Sequence, residues 1–412
     1  MANISARELA QDLLARAVAG RSGLEADFDS LAELALAADP ILAREASEAL
    51  FGVLVEGLGD RFEPRLCDLY AELFSRLLAR ACPSLDAHAL LARYRRLRRP
   101  RPFHGSPRTV FVLSRVTLGA DVAVTSVLLD AARRRFPGSR IVFAGPSKNY
   151  ALFAADPRLA HLPVAYQRAG DLRQRLAVWE PLREALASPD ALVIDPDSRL
   201  TQLGLLPVAS EENYCFFESR SYGGDGEEPL TRLAAQWARE TFGVEARAWL
   251  APAPGGPAAD VSISLGVGDN PRKRIPDPFE SELLRHLAAH SSGILIDRGA
   301  GAEEAARVER AVAGLTPAVQ LWDGAFAPFA SAISRSRLYL GYDSAGGHVA
   351  AASGVPLVSI FAGFASPRMF ARWRPSGPGP IQVVRVDRPH PALVLDQTLA
   401  AIEYIKQTLR TP

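Results

Sequence analysis

Tyr342-Asp343-Ser344-Ala345-Gly346-Gly347-His348 decides how this sequence is read. The run Leu338-Tyr339-Leu340-Gly341 before it is short and apolar, as in a buried strand. Val349-Ala350-Ala351-Ala352-Ser353-Gly354 after it reads as a helix start and a stop. A loop at the carboxyl end of a parallel strand, at the mouth of a helix, is where open α/β sheets bind ligands. Small residues let backbone N–H groups approach an anion, and the helix N-terminus adds partial positive charge. Asp343 and His348 can contact hydroxyls or phosphate, so a diphosphate ligand fits. An ordinary turn with Asp343 as N-cap fits the same spacing.

Outward from this loop, apolar runs at 261–265, 293–297 and 356–361 read as further strands, with helices over 279–289 and 303–313 between them. The turn-rich stretch 251–257 separates this series from an earlier one. There, strands are expected at 109–113, 140–144 and 191–195, with helices over 120–135 and 230–242. Strand-helix-strand units imply parallel sheets. Residues 1–102 differ: leucines recur at helical spacing and Pro40, Pro64 and Pro83 punctuate them, which predicts an all-helical domain. Domains are therefore expected at 1–102 (helical), 103–250 and 258–390 (both Rossmann-like), with a terminal helix in 391–412.

Composition narrows the function. The 412 residues are 48% hydrophobic and 23% charged, with net charge +1, an ordinary globular balance that gives no global field for nucleic acid. Cys67, Cys82 and Cys215 form neither a CxxC pair nor a zinc pattern, which fits a reducing compartment. The first residues lack a signal-peptide pattern and no apolar run spans a bilayer, so a cytoplasmic protein is expected. Richness in Ala and Arg with few Lys points to a high-GC bacterial genome. The basic run Arg93 to Pro102 reads first as a solvated linker; peripheral contact with an anionic membrane surface is the sharper reading. Neither Rossmann-like half carries Gly-x-Gly-x-x-Gly, which argues against a dinucleotide cofactor, and no cofactor or metal cluster is expected.

Four further stretches can carry chemistry. Leu118-Gly119-Ala120-Asp121 follows the first strand, where Asp121 can serve as a general base or as an N-cap. Gly266 to Arg274 follows a strand of the second half; Gly268 permits close backbone approach, and Lys273 and Arg274 supply charge for phosphate. Arg298 to Glu304 is a glycine turn before a helix, with Glu303 and Glu304 as dipole partners or ribose contacts. Asp195, Asp197 and Arg199 cluster past a strand and, with Arg220 and Tyr222, can serve an acceptor.

Together these stretches resemble glycosyltransferase family 9, the bacterial heptosyltransferase family, over residues 108–410. The Leu-Gly-x-Asp turn, Lys273, Gly299 to Glu304, the Asp343-Ser344-Ala345-x-x-His348 signature and Gly354 to Phe361 stand in family order. The resemblance implies a GT-B fold: two Rossmann-like domains whose parallel sheets face across a cleft, here with the helical domain added. It implies inverting, metal-independent transfer from a nucleotide-diphosphate sugar, with ADP-heptose favoured, to a glycan such as lipopolysaccharide core or another hydroxyl acceptor. By position, Asp121 would be the base and Lys273 would hold the diphosphate. Glu303 or Glu304 would meet the ribose, and Asp343 the sugar. Ser344, Ala345, Gly346 and His348 would lie near phosphate. The terminal helix would cross back onto the acceptor domain. The chain departs from the family in three ways: Ala120 is inserted before Asp121, Ala345 stands where the family has Gly, and residues 1–100 have no counterpart. A donor carrying UDP or GDP remains open, as does a non-catalytic nucleotide-binding scaffold acting through the helical domain.

Overall fold

β1 (Thr109–Leu113), β2 (Arg140–Gly145), β3 (Leu159–Pro163), β4 (Ala191–Asp195) and β5 (Tyr214–Phe216) pair in parallel in the order β3-β2-β1-β4-β5. β6 (Val261–Ser264), β7 (Ile294–Asp297), β8 (Val319–Trp322), β9 (Leu338–Tyr342), β10 (Leu357–Phe361) and β11 (Ile381–Arg385) form a second parallel sheet, β11-β10-β9-β6-β7-β8. The molecule is seen in a computed structural model that describes residues 5–268, 270–299, 301–315 and 319–410. In both sheets the winding reverses between neighbouring strands, at β1/β4 and at β6/β9. Each reversal leaves a crevice at the carboxyl ends of the strands. The loops after β1, β4, β6 and β9 all open there, so the two-domain α/β reading of the sequence holds.

Period-two alternation sends each strand of the first sheet into two cores. Val110, Val112, Leu192, Ile194 and Cys215 share one with Val127, Leu128 and Trp237, from helices Ser126–Arg135 and Leu230–Phe242. Leu113, Val193, Tyr214 and Phe216 share the other with Leu31, Leu50, Leu66, Phe74 and Leu77 of the helical segment. That segment comprises helices Ala6–Val18, Glu25–Ala35, Pro64–Ala81 and Ala87–Leu97 and a continuous helical run over 40–59. Its starts follow local chemistry: Ser5 and Glu8 form a capping box, and Pro40 and Pro64 open their helices. The segment supplies the helical layer on one face of the first sheet, and its apolar stripes are buried there.

The basic run does not form a solvated linker. Arg93 is buried, donates to the Gly204 carbonyl at 3.0 Å and lies 4.7 Å over the Tyr214 ring. Arg96 pairs with Glu211 at 2.6 Å, Arg98 with Asp68 and Ser221, and Arg101 with the Glu211 carbonyl. These arginines tie the helical segment to the first sheet. Their side chains had no internal partner visible in the sequence, because Gly204 and Glu211 lie a hundred residues downstream. Arg93→Ala is expected to cost about 1–3 kcal/mol by orphaning a buried carbonyl and leaving a gap, read as a lower urea midpoint at unchanged slope.

The terminal helix also departs from expectation. Pro391–Arg410 buries Val394, Thr398, Ile402 and Ile405. Val394, Ile402 and Ile405 join the core of the second sheet beside Leu283, Leu287 and Val384. It does not cross to the acceptor domain; its stripe is complementary to helix Phe279–His290 and the β11 edge. The crossing is made instead by helix Pro367–Trp373. Arg368 donates to the Phe62 carbonyl at 2.9 Å, and Arg372 donates to the carbonyls of Gly224 at 3.0 Å and Glu228 at 3.2 Å.

Candidate active site

Four loops meet at the crevice between the sheets, and the helical segment adds a fifth element. After β9, Ser344 precedes helix Ala345–Ser353 in an extended conformation and makes no side-chain cap, so the first-turn N–H groups are not capped by it. Gly346 packs where nothing larger fits: a Cβ there would lie 2.1 Å from the Tyr339 hydroxyl. Lys273, in the loop after β6, donates to Asp343 Oδ2 at 2.6 Å and to the Asp343 carbonyl at 3.1 Å. The sequence placed these two residues 70 apart, and the fold brings them together at the head of that helix. His348 is buried one turn on, against Trp373, and burial holds its imidazole toward the neutral form.

Beside Lys273, a cavity of about 700 Å³ is lined by Gly268, Arg274, Glu303, Glu304 and Arg307. Gly268 has φ of +56°, a left-handed turn that suits glycine. Glu304 accepts from the Val267 amide at 2.9 Å and lies 3.6 Å from Arg307, while Glu303 is exposed at the rim. Arg274 pairs with Asp277 at 2.5 Å and faces Glu280 at 3.4 Å. The expected donor-side residues thus fall on three features: the Lys273–Asp343 pair, the start of helix Ala345–Ser353 with Ser344 and His348, and this cavity with Gly268, Arg274, Glu303 and Glu304.

The expected base does not face the cleft. Asp121 is fully buried and its carboxylate accepts four hydrogen bonds. They come from Ser114 Oγ at 2.6 Å, Arg115 N at 2.7 Å, Thr125 Oγ1 at 2.6 Å and Asn149 Nδ2 at 2.5 Å. Burial pushes its pKa up and the four donors oppose that rise. Ala120 lines the cleft in its place. Consecutive helical positions point about 100° apart, so with Ala120 toward the cleft the Asp121 carboxylate is turned to the interior. Asp195 is likewise internal, accepting from Ser198 N at 2.7 Å, Thr201 Oγ1 at 2.5 Å and the Tyr214 hydroxyl at 2.5 Å, so it holds the loop after β4 and does not meet an acceptor.

The other acceptor-side residues converge on a polar cavity of about 90 Å³, lined by Asp197, Arg199 and Arg220 with Arg115, Trp373, Glu56 and Asp60. Arg220 pairs with Asp197 at 2.7 Å, and Arg199 faces Glu56 at 3.4 Å. Arg115 lies 5.9 Å over the Trp373 ring, whose edge meets Phe62 at 6.2 Å. Across the cleft, Gly119 touches helix Ala345–Ser353: a Cβ there would stand 3.4 Å from Ala345 Cα and 3.5 Å from His348 Cδ2. Glu56, Asp60, Arg115 and Trp373 were not found in the sequence. No local spacing marks them, and they come from three separate parts of the chain. A further cavity of about 670 Å³ is lined by Trp179, Arg183, Pro189 and Ala191, at the amino end of β4 and away from the crevice.

Residues 267–390, which carry the whole donor-side arrangement, match the sequence model of glycosyltransferase family 9 (heptosyltransferase). That stretch is therefore similar to the family 9 glycosyltransferases. No curated protein matches the sequence. Among solved structures, the family 9 glycosyltransferase of Veillonella parvula is similar at 16% identity and TM-score 0.53, over 72% of this chain and 97% of that one. The Escherichia coli heptosyltransferase WaaC with ADP is similar at 16% identity and TM-score 0.53, over 72% and 99%. The E. coli ADP-heptose lipopolysaccharide heptosyltransferase II is similar at 16% identity and TM-score 0.50, over 72% and 99%. At that identity the likeness is one of fold. The neighbours are matched almost end to end by less than three quarters of this chain, which therefore carries more polypeptide than they do. Among the described residues, no helix is long and apolar enough to cross a membrane.

Proposed function

We propose that this protein transfers a sugar from a nucleotide-diphosphate donor, with ADP favoured and heptose the first sugar to try, to a hydroxyl on a glycan or other acceptor. The observation that carries the reading is the Lys273–Asp343 pair at the head of helix Ala345–Ser353, beside the cavity of Glu303 and Glu304. The nucleoside would occupy that cavity with its ribose hydroxyls toward Glu303. The diphosphate would lie between Lys273 and the uncapped N–H groups of the helix. The acceptor hydroxyl attacks the anomeric carbon from the opposite side, with inversion. The bond from that carbon to the diphosphate oxygen breaks, and the charge growing on the leaving group is met by the ammonium and the helix N-terminus without a divalent ion. ADP enters this reading because the WaaC structure holds it, and a lipopolysaccharide acceptor because heptosyltransferase II is a lipopolysaccharide heptosyltransferase. The enzyme would work in the cytoplasm, with peripheral membrane contact at the inner leaflet if its acceptor is lipid-linked.

Melting temperature against ADP, UDP, GDP, CDP and dTDP tests the donor site. A ligand at 100 times its dissociation constant adds about 2.7 kcal/mol, a shift of several degrees. ADP is expected to give the largest rise. A flat panel would remove the donor-site reading. A second reading, nucleotide binding without turnover, is favoured by one observation: Ala120 occupies the cleft position after β1 and Asp121 is turned inward. ADP stabilisation with no sugar transfer to any acceptor would favour it.

A further inference from the structure

With Asp121 saturated in the interior, the cleft needs another group to take the acceptor proton. We propose that Asp60, at the end of the helical run 40–59, is the general base of the transfer, so that the N-terminal helical segment completes the active site. This rests on the transferase reading above.

Several observations place Asp60 there. It lines the same small cavity as Ala120, Arg115, Arg220 and Trp373. Its neighbours are clamped from both Rossmann-like domains. A Cβ on Gly59 would lie 3.4 Å from Arg220 Cδ, on the first domain. On the second, Arg368 holds the Phe62 carbonyl at 2.9 Å and Trp373 packs against the Phe62 ring. Phe62 itself has φ of +56°, an uncommon conformation for an aromatic residue, at the point where the chain leaves the cleft. The other carboxylates around this cavity are engaged: Glu56 faces Arg199, and Asp197 faces Arg220. Among the described residues, Asp60 has neither a hydrogen bond to its side chain nor an ion pair. Burial, then the charge of Glu56, push its pKa above the ordinary carboxylate value, while Arg199, Arg220 and Lys273 pull the other way. A carboxylate with a raised pKa is a better proton acceptor near neutral pH.

The step balances with the groups named. The acceptor oxygen forms a bond to the anomeric carbon, and its proton passes to a carboxylate oxygen of Asp60. The bond from that carbon to the diphosphate breaks with its electron pair going to the leaving nucleotide. Asp60 then returns the proton to water.

The test uses the full chain, ADP-heptose as donor, a mixture of core oligosaccharide, simple sugars and Ser/Thr peptides as acceptors, and ADP release as readout. Asp60→Asn keeps the shape and removes the charge. It is expected to lower kcat by about 10²-fold or more, leave the donor KM within about twofold, and keep the ADP-induced rise in melting temperature. The wild-type rate should fall on acidification through a pKa above the ordinary carboxylate range, and Asp60→Glu should retain part of the rate with that limb moved. Wild-type kcat in Asp60→Asn would overturn the proposal. So would loss of the ADP-induced shift together with activity, which would make Asp60 a binding or folding residue. A wild-type protein that binds ADP but releases none from the donor would also overturn it, leaving the nucleotide site standing. A wild-type protein that ADP does not stabilise would overturn the transferase reading, and this proposal with it.

Discussion

Asp121→Ala is expected to destabilise the protein by about 3–5 kcal/mol, the loss from orphaning several buried donors at once. Four donors from three elements end on this carboxylate: Ser114 and the Arg115 amide after β1, Thr125 one turn along its own helix, and Asn149 after β2. The two hydroxyls can turn to other acceptors, but the Arg115 amide and Asn149 cannot do so without moving the loop. Asn149 Oδ1 is already without a partner among the described residues, so rotating that amide offers little relief. Asp121→Asn should cost less than Ala and still be clearly unfavourable, because one face of an amide presents hydrogens to incoming donors. Urea unfolding at fixed pH reads both. Wild-type stability in Asp121→Ala would return the residue to a chemical role. Because Arg115 lines the small cavity beside Asp60 and Trp373, some loss of activity is also expected, scaling with the damage to the loop.

Lys273→Ala is expected to abolish the ADP-induced rise in melting temperature and to lower kcat for transfer by about 10²–10³-fold, as when one positioned donor to a developing anion is removed. The ammonium does two jobs at the head of helix Ala345–Ser353. It neutralises Asp343, which is 8% exposed and would otherwise repel a diphosphate, and it supplies a compact positive charge of its own. Lys273→Arg keeps the charge and loses the point geometry, so it should fall between the two. Isothermal titration with ADP separates the binding part from the catalytic part. An unchanged ADP affinity in Lys273→Ala would move the diphosphate elsewhere on the domain.

The contrast between these residues shows where the sequence was readable. Strands β1, β4 and β9 are buried runs of β-branched and large apolar residues, so they stand out. The four strands that did not stand out, β3, β5, β8 and β11, are the edges of the two sheets. β3, β8 and β11 are only partly buried and β5 is three residues long, so each carries too little apolar signal. Lys273, Glu304 and Asp343 were legible because each follows a central strand, and topology alone then delivers them to one crevice. Asp121 was legible as a position and misread as a direction, since spacing names a turn of helix and not the side that a carboxylate takes. Asp60 was not legible at all: only the packing of the first hundred residues on the sheet brings it to the cleft. Ala120, read as an insertion, becomes informative only once its neighbours are known.

The core that the helical segment shares with the first sheet also imposes an order in time. Leu50, Leu66 and Leu77 are translated early, while Tyr214 and Phe216, which lie in the same cluster, come more than a hundred residues later. At about 10 residues per second, the nascent helices wait on the order of ten seconds with their apolar stripes facing solvent. A cell making this protein must shelter that surface, by ribosome proximity or by a chaperone that binds exposed apolar helices, until β5 leaves the exit tunnel.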